Sequence, residues 1–298
     1  MLHYINKPRH TLKLLFDSIG RYIKSDTLFI RIRWRLCMGT PLHLDKPKTF
    51  NEKLQWLKLN NKDARFIKMV DKYDVKEYVA SVIGNEYIIP TLAIYKTVEE
   101  IDFSTLPKQF VLKCTHDSGG LVVCKDISKL DKNSIKKKLQ KSLKRNYFWR
   151  SREWPYKNVK PRILAEKYMV DDSGYELKDY KFFCFGGKCR FFKIDFDRYT
   201  DHHANYYDCD AKLLPFGEAD MSPIPSKKIE IPSNLKEMVA IAEKLSADIK
   251  APFVRIDLYN IHKRIYFGEI TFFPASGMGK IVPQEWDEKL GNYIENVP

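Results

Sequence analysis

Hydrophobic and polar positions follow two periods along this chain. Helical spacing comes first. Leu12, Leu15, Phe16, Ile19, Tyr22 and Ile23 recur every three or four residues, with Lys13, Arg21 and Lys24 among them. TFNEKLQWLKL opens a helix, with Thr49 and Glu52 in capping-box positions. In DKYDVKEYVASVIG, Val75, Tyr78, Val79 and Val82 form a stripe, and Gly84 stands where a C-terminal cap belongs. Alternation then takes over. EYIIP and TLAIY read as short buried strands, and QFVLKCTHDSGGLVVCKD as strand, polar glycine loop, strand. The stretch 129–145 is helical in pattern and PRILAEKYMV is a further strand. DYKFFCFGGKCRFFKIDF predicts a hairpin turning at Gly186 and Gly187. SNLKEMVAIAEKLSADI predicts a long helix capped by Ser233, with Leu235, Met238, Val239, Ala242 and Leu245 inward. PFVRIDLYNIHKRIYFGEITFFP closes the series as a hairpin turning near 261–263. Hairpins mixed with helices predict an α+β fold rather than a doubly wound parallel sheet.

Composition narrows the classes. The 298 residues are 44% hydrophobic and 13% aromatic, which excludes global disorder. No apolar run is long enough to span a bilayer, and MLHYINKPRH lacks the features of a signal peptide. A cytoplasmic protein is expected, with a peripheral position at the inner membrane face left open. Six cysteines without a CxxC pair predict reduced thiols rather than a zinc site or a disulfide scaffold. The net charge of +14 is uneven: residues 1–50 hold ten Lys/Arg against three acids, and 129–160 hold twelve against two. Such surfaces attract nucleotides, anionic lipid, acidic polysaccharide or nucleic acid, and charge alone does not choose. The N-terminal basic helix either docks on its own domain or lies on an anionic membrane.

Three constellations carry chemistry. In the last hairpin Val254, Ile256 and Leu258 face one way, and Arg255 and Asp257 the other. Folding about the turn brings Asp257 near Glu269, with Thr271 on the same face as Glu269. Two neighbouring carboxylates repel unless a cation stands between them. A hard divalent cation meets that need; so does Arg255 or a lysine. The loop HDSGG follows FVLK, and a glycine-rich turn can turn backbone N–H groups toward phosphate oxygens, with Lys113 adding charge. An ordinary β-turn is the alternative. In AEKYM, Glu166 ends an apolar strand whose exposed backbone suits an adenine edge. His202 and His203 lack metal-ligand spacing, and there is no GxSxG nucleophile motif.

In this order the chain resembles the ATP-grasp superfamily, and within it the teichuronopeptide-biosynthesis (TupA-like) amidoligase branch. The phrases that carry the resemblance are TFNEKLQWLKL, VDKYDVKEYV, FVLKCTHDSGG, REWPYKNVKPRILAEKYM, DYKFFCFGGK and VRIDLYNIHKRIYFGEITFFPASGM, from about residue 45 to 280. The resemblance implies two α+β lobes gripping a nucleotide. A basic helical segment (1–44) and an α/β region (45–107) would precede a small lobe (108–165) and a large lobe (166–298). Lys113 would hold ATP phosphates, and the loop with Thr115, Ser118, Gly119 and Gly120 would close over them. Glu166, Lys167, Tyr168 and Met169 would form a hinge reading adenine. Asp179 and Lys181 would meet ribose and phosphate. Asp257, Glu269 and Thr271 would hold Mg2+, and Arg255 would stabilise the transferred phosphoryl group. Many ATP-grasp enzymes have asparagine where this chain has Thr271, a poorer magnesium ligand. Lys72 resembles an early lysine of such folds without an assigned contact.

The implied cofactors are ATP and Mg2+. The implied reaction activates a carboxylate as an acyl phosphate for attack by an amine, on an acidic sugar or amino-acid substituent in surface polysaccharide synthesis. The implied partners are small-molecule or glycan-linked carboxylates and amines, with an anionic membrane as a further surface and no nucleic acid. Alternatives are a glycosyltransferase using the DCD string at 208–210, a kinase on the same fold, and a non-enzymatic binder of anionic polymers.

Overall fold

The computed structural model describes residues 8–172, 174, 177–197 and 201–298. The first seven residues of the expected basic segment lie outside the described residues. Helix α1 (Pro8–Ile19) folds back on α2 (Asp26–Met38), and Phe16 stacks on Phe29 at 4.9 Å between ring centroids. Ser25 caps α2, accepting the Leu28 N–H at 3.2 Å. Helix α3 (Phe50–Asn60) starts at the capping box of Thr49 and Glu52. Helices α4 (Arg65–Val70) and α5 (Asp74–Ile83) follow, and α5 ends at Gly84 with φ +120°. EYIIP is not a strand. Residues 85–87 make a 3-10 turn, and β1 (Thr91–Tyr95) begins after it. Nor is β1 buried: it is an edge strand, so only Tyr95 is shielded while Leu92 and Ile94 are exposed.

β2 (Phe110–Cys114) and β3 (Leu121–Cys124) form the hairpin around the glycine loop. α6 (Lys132–Leu143) is capped by Asp131 and is shorter at both ends than its basic pattern. α7 (Phe148–Ser151) follows, and β4 (Ile163–Lys167) completes a four-stranded antiparallel sheet of order β1-β4-β2-β3. Phe110, Leu112 and Cys114 turn into a core with Leu139 of α6, leaving Val111 and Lys113 on the other face.

The larger sheet has the order β10-β9-β5-β6-β7. Its strands are β5 (Asp179–Phe185), β6 (Lys188–Phe196) and β7 (His203–Tyr207), then β9 (Phe253–Ile261) and β10 (Arg264–Thr271). Between them run β8 (Gly217–Glu218) and α8 (Leu235–Ile249); β11 (Ile281–Val282), which pairs with β8, and α9 (Glu285–Gly291) close the chain. Gly186 and Gly187, both at positive φ, make the β5–β6 turn as expected. α8 begins after Asn234, not Ser233, and without a side-chain cap. The Asn234 amide instead donates to the Lys263 carbonyl and accepts from Asn260. On α8, Leu235, Met238, Ala242 and Leu245 are buried, and Val239 only half-buried. Five of the six cysteines lie in these sheets or beside them, and all six are free thiols.

The two sheets do not follow the borders read from sequence. β1 comes from the 45–107 stretch and β4 runs past 165, yet both belong to the small sheet. Helices α3 to α5 pack instead into the core of the large sheet, with Phe50 edge-on to Phe253 and Phe66 stacked on Phe272. One row of the large sheet crosses all five strands: Glu269 opposite Asp257, Asp257 opposite Lys181, Lys181 opposite Lys193, and Lys193 opposite Tyr206. Directly paired residues share a face, so this row sets charged side chains side by side.

Candidate active site

A cavity of about 140 Å3 lies between the sheets. Val111, Lys113, Leu121 and Val123 of the small sheet form one wall, and Asp179 and Tyr259 of the large sheet line the other. Glu166, Lys167, Tyr168 and Met169 line the connection between the lobes. Leu121 and Val123 are exposed into this space. Apolar walls with a few charged groups at the margin suit a flat heterocycle carrying an anionic tail. The structure therefore brings together Lys113, the hinge residues and Asp179. Tyr259 was not anticipated, although the alternation that singled out Asp257 puts Tyr259 on the same face two residues on.

The Glu166 carboxylate is gripped by two lysines: Lys76 at 2.6 Å and Lys113 at 2.5 Å. Lys76 also donates to the Ile89 carbonyl and to the Thr91 hydroxyl. Burial pushes the Glu166 carboxyl up, but the two ammonium groups outweigh it and hold its pKa below the ordinary value. Lys76 lies on α5, and no local pattern marks it. The main chain of Glu166 is spent on the ladder with Thr91 and Val111, and the Lys167 N–H donates to the Pro90 carbonyl. Of the four hinge residues, Tyr168 and Met169 are the ones beyond the strand.

The glycine loop is closed on itself. Asp117 Oδ1 accepts the N–H groups of Gly119 at 3.3 Å and Gly120 at 2.9 Å, and Oδ2 accepts from the Ser142 hydroxyl. Lys72 ties the loop down, its Nζ donating to the Asp117 carbonyl at 2.6 Å. Thr115 is buried; its N–H donates to the Arg162 carbonyl, and its hydroxyl donates to that of Lys160. A Cβ on Gly120 would stand 2.6 Å from Cys114 Sγ, so glycine there is a packing requirement. Thr115 and Gly120 are thus framework residues rather than residues facing the cavity. Ser118 and Gly119 form the exposed loop tip. The reason is local: an aspartate two and three residues before an amide captures it in an Asx turn.

Further along the same face of the large sheet, Arg255 bridges the acidic pair. Its Nε and Nη2 donate to Asp257 at 2.6 and 2.7 Å, and Nη2 also donates to Glu269 at 2.9 Å and to the Thr271 hydroxyl at 3.1 Å. Thr271 in turn donates to Glu269 at 3.3 Å. Its hydroxyl therefore orients Glu269. Burial pushes the Asp257 carboxyl up to about 7 against the pull of Arg255. Burial also acts on Glu269, but Arg255 and Lys72 hold its pKa below the ordinary value. The Glu269 side chain is 45% exposed, whereas Asp257 is buried.

Lys181 is committed elsewhere. Its ammonium sits 2.5 Å from Asp195 and 3.2 Å from Asp179, and these carboxylates with Asp257 raise its pKa against a larger desolvation effect. It is a buried counter-ion rather than a ready phosphate contact. Lys193 extends the network to Glu218, which also accepts from the Tyr206 hydroxyl.

The donor set fits a hard dication. Asp257 and Glu269 offer only oxygens, and the penalty on charged Asp257 is one that a dication would relieve. Among the described residues no group of three or more His, Cys, Asp or Glu could hold a metal. Two carboxylates match the way Mg2+ is bound when phosphates supply further ligands.

The loop after β10 is strained. Ala275, Ser276 and Gly277 all have positive φ, although only the last is glycine. Buried polar groups of α3 hold it: Gln55 donates to the Ser276 and Gly277 carbonyls, Lys58 to that of Ser276 and Asn51 to that of Gly279. Burial pushes the Lys58 ammonium down to about 7. The DCD string is a turn, with Asp208 Oδ1 accepting the N–H groups of Asp210 and Lys212.

The family described as TupA-like ATPgrasp matches residues 52–295. No curated protein matches the sequence. Among solved structures, the chain is similar to the D-alanine–D-alanine ligase of Bacillus anthracis at 18% identity and TM-score 0.46, covering 77% of this chain and 67% of that one. It is similar to the D-alanine–D-alanine ligase of Helicobacter pylori at 18% and 0.39, covering 77% and 61%. A RimK-domain ATP-grasp protein of Sphaerobacter thermophilus matches at 10% and 0.42, covering 89% and 76%. The family match spans most of the chain, from α3 through both sheets to beyond α9, and on that ground the chain belongs to the TupA-like ATP-grasp family.

Proposed function

We propose that the chain is an ATP-dependent ligase that joins a carboxylate to an amine through an acyl phosphate. The observation that carries this reading is an apolar cavity lined by Tyr259 of β9, with the Arg255–Asp257–Glu269 cluster further along the same face of the large sheet. Tyr259 lines the cavity, and Asp257 lies two residues back on the same face of β9, roughly 7 Å away by strand geometry. Adenine would rest between Val111, Leu121, Val123 and Tyr259, with Lys113 reaching toward the phosphates. Asp257 and Glu269 would hold Mg2+, which neutralises phosphate charge when bound. Arg255, kept charged by the carboxylates around it, would face the charge that spreads over the transferring phosphoryl group. Transfer of the terminal phosphoryl group of ATP to a carboxylate oxygen releases ADP and gives the acyl phosphate; attack of the neutral amine on the acyl carbon then forms the amide and releases phosphate and a proton. Positioning and electrostatics suffice, so no side-chain nucleophile is required.

The carboxylate is read as an acidic sugar or amino-acid substituent of a surface polysaccharide. The branch resemblance and the exposed lysines of α6, among them Lys137, Lys138 and Lys141, support an anionic acceptor. Calorimetry with Mg–ADP and Mg–AMPPNP on wild type and Glu269→Gln tests the site. Micromolar, magnesium-dependent binding that weakens in the variant is expected. Wild type that binds neither nucleotide would overturn the reading. ADP release that requires an amine as well as a carboxylate separates a ligase from a kinase.

A further inference from the structure

We propose that the α1–α2 hairpin is a docking surface for an anionic lipid bilayer. The sequence left two fates for α1, packing on its own domain or lying on a membrane; the structure shows that packing uses only part of the helix. Phe16 is buried against Phe29, and Asp17 pairs with Arg33 at 2.9 Å. Leu12, Leu15 and Ile19, one face by their spacing, remain 53%, 60% and 51% exposed. On α2, Leu28 and Ile32 are exposed beside Arg31 and Arg35. Six of the twelve large exposed apolar side chains among the described residues fall between 12 and 32, so this is a concentration rather than scatter.

The surface is held firmly. Arg152 is buried, donates to the Gly20 and Ile23 carbonyls at 2.8 and 2.7 Å, and pairs with Asp26. Exposed Trp149 lies next to it, an aromatic suited to a membrane interface.

Charge selects the occupant. The hairpin's two acids, Asp17 and Asp26, are already paired with Arg33 and Arg152. Exposed Arg21, Lys24, Arg31 and Arg35 therefore stand among the leucines without acidic compensation from the hairpin itself. Exposed apolar side chains interspersed in sequence with exposed basic ones on one hairpin fit the headgroup boundary of an anionic leaflet. Two copies of this face would set like charges together. No helix among the described residues is long and apolar enough to cross a membrane, so the contact is interfacial.

Flotation of the full chain with phosphatidylcholine vesicles, with and without phosphatidylglycerol, tests the proposal. Binding to the anionic vesicles alone, weakened by salt, is expected. Lys24→Glu with Arg35→Glu should weaken it about 30-fold or more, at about fivefold per basic side chain removed from an anionic surface. Leu15→Ser with Ile19→Ser should weaken it about tenfold by removing inserted apolar area. Mg–ADP binding and thermal unfolding should be unchanged in both, because the altered side chains are exposed. Equal binding to neutral and anionic vesicles, or none to either, would overturn the proposal. So would self-association of wild type that Leu15→Ser with Ile19→Ser abolishes, which would make a second copy the occupant.

Discussion

Glu166→Gln tests the junction of stability and nucleotide binding. The Glu166 carboxylate is paired at 2.6 and 2.5 Å with Lys76 and Lys113, whose side chains are only 12% and 20% exposed. Each pair is worth about 6 kcal/mol of gross attraction at an effective dielectric of ~20. Desolvation offsets most of that. Removing one member of a buried ion cluster costs roughly 3–5 kcal/mol, since the remaining charges stay behind. Both lysines keep some access to water, which places the expected loss near the lower bound, about 3 kcal/mol. At about 2 °C per kcal/mol for a chain of this size, the melting temperature should fall by about 6 °C. The pH dependence has a definite sign. The folded pKa of Glu166 lies below its ordinary value, so its stabilisation is present above the unfolded pKa and is lost as pH falls through the folded one. The gap between wild type and variant should therefore be full at neutral pH and close in acid. Mg–ADP should raise the melting temperature of the variant more than that of wild type, because phosphate gives Lys113 back a counter-charge. Thermal scans with and without nucleotide measure both effects. An unchanged melting temperature at neutral pH would refute the energetic reasoning. A smaller nucleotide-induced shift in the variant would refute the placement of Lys113 toward phosphate.

Arg255→Gln should lower stability by roughly 3 kcal/mol, because it strips buried Asp257 of its bidentate partner, and should abolish ATP-dependent product formation. Arg255→Lys should fail to restore that activity, since a point ammonium cannot span Asp257 and Glu269 together; full activity in the lysine variant would contradict this. Gly120→Ala should cost about 1–3 kcal/mol by overpacking against Cys114 and Ser142, read as a shift in denaturation midpoint, and an unshifted midpoint would show that the loop yields. Tyr259→Ala should weaken Mg–ADP about tenfold, the order of one aromatic contact, while Tyr259→Phe should bind as wild type does in calorimetry.

Local physics made much of this protein legible. The capping box at Thr49 and Glu52, the glycine stop at Gly84 and the Gly186–Gly187 turn depend on residues a few positions apart, so sequence alone determines them. The approach of Asp257 to Glu269 is of the same kind, because a tight hairpin and strict alternation leave little freedom in register. The closing of the glycine loop by Asp117 is also written locally, in an aspartate two and three residues before the glycines whose N–H groups it accepts. Tertiary structure alone decided the rest. Lys76 meets Glu166 across 90 residues of chain. The row from Glu269 to Tyr206 exists only because five strands pair in one order. Whether TLAIY is buried depends on its place at the sheet edge, and Asn51, Gln55 and Lys58 show their purpose only against a loop some 220 residues later. The physical reason is common to all four: periodicity and caps report which face of an element is apolar, whereas what that element pairs with or packs against is set by contacts between elements distant in sequence.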